Sequence, residues 1–126
     1  MEGAIDIVVD FARAPHVTLT RERAIKAFEV LKALTGSRDA DEAIRIVSSF
    51  DEYYKISRKR FEEYIPLPRD AREALRGGAL IQKLRLIKGD GEELVEIVFD
   101  RRVDLGLIVE ALKQVGFSSV NIRKTL

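Results

Sequence analysis

Acids, bases and aromatic rings stand at a few positions of this chain where their spacing suits chemistry. Asp6 and Asp10 fall on one face of an apolar run, Ile5-Asp6-Ile7-Val8-Val9-Asp10-Phe11. At about 3.3 Å per residue they are roughly 13 Å apart, too far to chelate one ion. Asp10 paired with its own copy across a dimer axis would hold a divalent cation for phosphodiester cleavage, which makes Asp10 the catalytic candidate. A solvated acid facing Lys83 or Arg123 on a neighbouring strand is the plainer alternative. His16 is the sole histidine and cysteine is absent. A zinc site of imidazoles and thiolates is therefore excluded, and His16 is expected in an exposed loop after Pro15.

The cations cluster more strongly. Ser57-Arg58-Lys59-Arg60 is the densest basic run, and it sits among Tyr53, Tyr54, Phe61 and Tyr64. Arg69, Arg72 and Arg76 follow on one face of a short predicted helix. Cations beside aromatic rings suit phosphate contact and base stacking. Glu62, Glu63, Asp70 and Glu73 interleave with them, so the alternative is a salt-bridged helix surface. Arg101, Arg102 and Gly106 surround the start of the last predicted helix, where free N–H groups can hold a phosphate or carboxylate. Neither glycine-rich phosphate loop, GxGxxG or GxxxxGK followed by Ser or Thr, is present, and no cofactor is implied. The run Glu93–Phe99 lacks the glycine and paired exposed aromatics of an RNA-recognition strand.

The elements that must position these residues are clearest toward the C-terminus. Lys88-Gly89-Asp90-Gly91-Glu92 separates two apolar runs, and Asp-Gly in that setting signals a tight hairpin. With Asp90 and Gly91 central in a type I′ turn, Ile87 faces Leu94, Arg85 faces Glu96 and Lys83 faces Val98. Leu86 then meets Val95 and Leu84 meets Ile97 on the core face. A slip of one residue would mix the two faces. Ile81 falls with Ile87, Leu94 and Val98 on the mixed face, and Arg85–Glu96 is a cross-strand pair that would add roughly 0.2–1 kcal/mol if exposed. Asp104 is a good N-cap for a helix carrying Ile108, Ala111, Leu112 and Val115. Gly116 stops that helix and Phe117 folds back on Leu112 as in a Schellman motif. Ser119 to Lys124 alternates as a final strand.

The first half reads as strand, then helices. Ile5 to Phe11 is a strand that Pro15 ends, and Thr20 caps a helix with a stripe of Ala24, Ile25, Phe28, Leu31 and Leu34. Gly36 is its stop. Asp39 opens another helix, with Glu42 at the capping-box position. Phe50-Asp-Glu-Tyr53 recurs as Phe61-Glu-Glu-Tyr64. Eleven residues is close to three helical turns, which puts Phe50 and Phe61 on one face. Pro66 and Pro68 break whatever helix precedes them, and Gly77-Gly78 releases the chain into the hairpin.

Without residues 37–76 the order is βαββαβ. The predicted fold is α+β: a ferredoxin-like antiparallel sheet with a helical insertion, about residues 37–76, between the first helix and the second strand. Asp10 then resembles, over a few residues, the Asp that ends the first strand in some small ferredoxin-like nucleases. One chain of 126 residues is expected to be a single domain. Net charge is +1, so no overall field steers it to nucleic acid or an acidic membrane. No basic segment precedes an apolar run at the start and no apolar stretch approaches ~18 residues, so neither a signal peptide nor a membrane span is expected. Together with the absent cysteine this favours the cytoplasm. Asparagine occurs only at Asn121 and glutamine only at Gln82 and Gln114, while 34% of residues are charged, a thermophile bias. The first functional expectation is a non-enzymatic, oligomer-forming interaction module whose helical insertion docks a protein partner or its own copy, with the mixed sheet face as a further surface for homodimerisation. The second is an RNA- or DNA-binding module using residues 53–76. The third is the Asp10 phosphodiesterase.

Overall fold

The computed structural model describes residues 3–10, 14–67 and 80–125. Arg69, Arg72 and Arg76, with the short helix predicted around them, lie outside the described residues, as does Phe11. In chain order the elements are β1 (Ala4–Asp10), β2 (His16–Thr20), α1 (Arg21–Thr35), α2 (Arg38–Ser48), α3 (Phe50–Lys59), β3 (Ile65–Pro66), β4 (Ile81–Gly89), β5 (Glu92–Phe99), α4 (Leu105–Val115) and β6 (Ser119–Thr125). The described strands make one six-stranded sheet, β3-β4-β5-β2-β1-β6. Neighbours are antiparallel except β1 and β6, which run parallel. This is a mixed α+β architecture, and its strand order is not a plain βαββαβ pattern.

The departure comes from β2. The loop expected at His16 and the helix lead-in expected before Thr20 are instead one strand, in which Val17 and Leu19 alternate with polar residues as a half-buried strand requires. It runs beside β5 from His16 opposite Val98 to Thr20 opposite Leu94, and it separates β5 from β1. Thr20 serves twice, as the last strand residue and as the N-cap whose hydroxyl accepts from the Arg23 N–H. His16 is consequently buried in a strand rather than exposed in a loop, with Nδ1 3.2 Å from the Ala14 carbonyl oxygen.

The β4–β5 register follows the apolar pattern: Leu84 meets Ile97, Leu86 meets Val95, Arg85 meets Glu96 and Gly89 meets Glu92. Two details differ from expectation. Gly91 has φ +77° and Asp90 is not in the left-handed region, so the turn has the sign pattern of type II, not I′. A bulge between Ile81 and Lys83 turns Ile81 to the core, opposite Phe99. Val98 is buried as well, so the mixed face lacks two of the apolar groups expected to drive dimerisation there.

Helices α1, α2 and α4 roof the core face. Phe28 and Leu31 of α1, Ile46 and Val47 of α2, and Ile108 and Leu112 of α4 close over Ile7, Leu84, Val95 and Ile97. Leu34, placed in the stripe, is largely exposed at the end of α1. The N-cap of α2 is Ser37, whose hydroxyl accepts from Asp39 N–H. Asp39 does not cap; its buried carboxylate accepts from Leu80 N–H at 2.7 Å and Ile81 N–H at 3.1 Å, fixing the entry to β4. Glu42 pairs with Arg45 instead of closing a capping box. The helical run breaks at Ser49, between α2 and α3, and again beyond Lys59.

Candidate nucleic-acid interface

Helix α3 begins with Phe50, which is fully buried, and ends at a corner beside β4. Its hydrogen bonds end in a Schellman pattern: Phe61 N–H donates to Arg58 C=O, and Glu62 N–H to Ser57 C=O. That pattern needs positive φ at Phe61, which stands at +56°, a region that costs an L-residue roughly 1–2 kcal/mol. The turn throws the phenyl ring outward, 97% exposed. Phe61 therefore does not share the buried face of Phe50, although the eleven-residue echo predicts it.

Arg58, Lys59 and Arg60 lie exposed around this ring. None of them has a carboxylate partner among the described residues; Arg58 instead lays its guanidinium over Tyr54, 5.8 Å from the ring centre. The neighbouring acid Glu63 is drawn away to Arg85, at 3.1 Å. Among the described residues no salt bridge joins Arg58, Lys59 or Arg60, while Asp70 and Glu73, two of the interleaved acids, lie outside them. Between this corner and β4 runs a groove of about 510 Å³, lined by Tyr54, Arg58 and Phe61 from the corner, Arg85 and Lys88 from β4, and the acids Glu62 and Glu63. It is open because β3 pairs only with Lys83 and Leu84, leaving the outer edge of β4 from Arg85 onward, opposite the side that pairs with β5, without a strand among the described residues.

The two tyrosines nominated with the basic run are already engaged. The Tyr53 hydroxyl accepts from Arg45 at 2.6 Å. The Tyr64 hydroxyl donates to Glu96 Oε1 at 2.9 Å, and its ring lies under Lys83 Nζ at 4.3 Å. Glu96 is 3% exposed beneath Tyr64 and Arg85, so the cross-strand pair is not a surface one. Arg85 Nε stands 2.9 Å from Glu96 Oε1, but its N–H is not aligned on that oxygen, so the contact is an ion pair without a directed hydrogen bond. Tyr54 stacks on Phe50 at 5.9 Å and lies under Lys88 Nζ. Lys88 in turn holds Asp51 at 2.8 Å. Phe61 is the ring at this corner left to a ligand. The sequence sets Phe61 among the rings beside the basic run and also on the face of Phe50; the signal that separates the two is a bulky residue in the turn just after a basic helix end.

The remaining candidates are less favourably placed. Asp10 ends β1 opposite Thr125 and Asp6 stands opposite Asn121; Arg123, opposite Val8, takes the register position between them on the neighbouring strand, while Lys83 is three strands away and cannot face them. No cluster of three or more potential metal ligands exists among the described residues. At the start of α4 the Gly106 N–H is taken by Asp104 Oδ1 at 2.9 Å, so an incoming anion would meet a carboxylate. Arg102 is bound there too, through its N–H and Nε to Asp100 Oδ1. A shallow depression between α1 and the hairpin tip has its chief cation committed, Arg21 to Glu93 at 2.9 Å. No described helix is long and apolar enough to cross a membrane. Comparison of the chain with protein families, curated proteins and solved structures finds no match.

Proposed function

We propose that the α3 corner binds single-stranded nucleic acid, with Phe61 stacking on an unpaired base and Arg58, Lys59 and Arg60 meeting the phosphates. Every base has a π-face, so one exposed ring gives affinity without sequence preference, and each cation that neutralises a phosphate releases a counterion. Basic side chains at a helix C-terminus also complement its dipole, which accounts for Arg58 and Lys59 without any ligand. It does not account for Phe61. A bare phenyl ring in a strained backbone position, where glycine would be cheaper, is the observation that supports this reading. The assignment is to binding, with no reaction attached.

Fluorescence anisotropy with a labelled ten-nucleotide oligouridylate, and with its deoxy counterpart, tests it. Three phosphate contacts predict a slope of about −2 for log K against log salt concentration. The variant Arg58→Glu/Lys59→Glu/Arg60→Glu should lose that slope and the binding with it. Undiminished affinity in the folded variant would refute the assignment. A preference between the ribose and deoxyribose oligomers would report whether the 2′-hydroxyl is read.

A further inference from the structure

The two edges of the sheet are finished differently. At one, β3 is two residues long and includes Pro66, which has no N–H to donate. At the other, β6 runs seven residues, paired with β1 along its length and with nothing on its outer side among the described residues. Its central Ile122 stands opposite the fully buried Ile7 on the core face, yet Ile122 is 44% exposed. On the other face Asp6 lies beside Asn121 and Val8 beside Arg123. Asp6 and Arg123 are both exposed and neither has an ion pair among the described residues.

We propose that the outer edge of β6 pairs antiparallel with β6 of a second copy, about a two-fold axis at Ile122, joining two sheets into one. Residues directly opposite in a ladder share a face, so the axis must pass through a residue, and that residue fixes every pair. An axis at Arg123 would set that arginine against its own copy. An axis at Asn121 would put Arg123 in line with Ser119 and Ala4, away from any acid. At Ile122 the pairs are Ile122 with itself, Asn121 with Arg123, and Val120 with Lys124. No like charges stand directly opposite one another, and Asp6 of one copy falls in the same cross-strand row as Arg123 of the other. Edge cations commonly repel an incoming strand; here Arg123, which lies diagonally beside Asp6 on the adjacent strand of its own chain, also falls in line with Asp6 of the partner copy. The assembly would set two α3 corners at the outer ends of the joined sheet. Their β4 strands would lie roughly 40 Å apart at about 4.8 Å per strand, giving a bivalent binder if both sites act.

The chain contains no cysteine, so a single introduced thiol reads the register. In the Ile122 register the two Cα atoms at position 122 lie about 4.5–5.5 Å apart, within disulfide reach. Full-length Ile122→Cys should oxidise largely to covalent dimer on a non-reducing gel. Lys124→Cys, on the same face but roughly 13 Å from its copy, should stay monomeric. Light scattering on the unmodified protein should give twice the monomer mass. A monomer at high micromolar concentration, no cross-link at position 122, or equal cross-linking at both positions would each overturn the proposal.

Discussion

Helices α3 and α4 end on the same hydrogen-bond pattern with their side chains exchanged. In α4, Gly116 occupies the positive-φ position and donates to Lys113 C=O, while Phe117 donates to Leu112 C=O and buries its ring. In α3, Phe61 occupies the position of Gly116, and the exposed Glu62 occupies that of Phe117. One terminus uses glycine where the backbone needs it and an aromatic where the core needs it. The other spends an aromatic where it costs most and covers nothing with it. Natural chains break a local rule chiefly where something other than stability is at stake, and that contrast sets the α3 corner apart from the rest of the surface.

Substitutions can break the contrast from either side. The largest effect is expected at the buried ring: Phe117→Ala should lower unfolding free energy by about 3 kcal/mol in urea melts, whereas Phe61→Ala should stay within about 0.5 kcal/mol. Next is the backbone. Gly116 has φ +126°, so Gly116→Ala should cost about 1–2 kcal/mol by the same assay. The converse change, Phe61→Gly, should raise stability by about 0.5–1 kcal/mol, a thermal midpoint a few degrees higher.

The smallest effect concerns what holds α3 in place. The hydrogen bond from Lys88, and then its charge, keeps the Asp51 carboxyl below its ordinary range, and the hydrogen bond to Asp51 holds the Lys88 ammonium above its own. A depressed acid stabilises above its unfolded pKa and stops doing so as pH falls through the folded value. A raised base stabilises below its unfolded pKa and stops as pH rises through the folded value. Asp51→Asn should therefore lower the thermal midpoint slightly between about pH 5 and about pH 10, and not below about pH 3. Both groups are exposed, so high salt should erase the difference.

Legibility in the sequence tracked how many residues carried each signal. The β4–β5 register was readable because five apolar residues on one face would all be misplaced by a one-residue slip. The end of α4 was readable because Gly116 and Phe117 obey local rules. β2 was not, because five residues whose last one also caps a helix look like a helix approach. The bulge that buries Ile81 was hidden for a related reason: one extra residue in a strand leaves no compositional trace. The basic run was visible as chemistry, but its aromatic partner was misassigned. Tyr53 and Tyr64 look like ligand rings until Arg45 and Glu96 are seen to occupy them, and Phe61 looks like core until the turn expels it.

The most direct test of this account measures Phe61→Gly twice in one preparation, by thermal melting and by oligouridylate anisotropy. Loss of one stacked base, worth about 1–3 kcal/mol, predicts roughly 5- to 150-fold weaker binding from a protein that melts higher. A protein that melts higher and binds as tightly as before would contradict it, and would leave the exposed ring without a purpose.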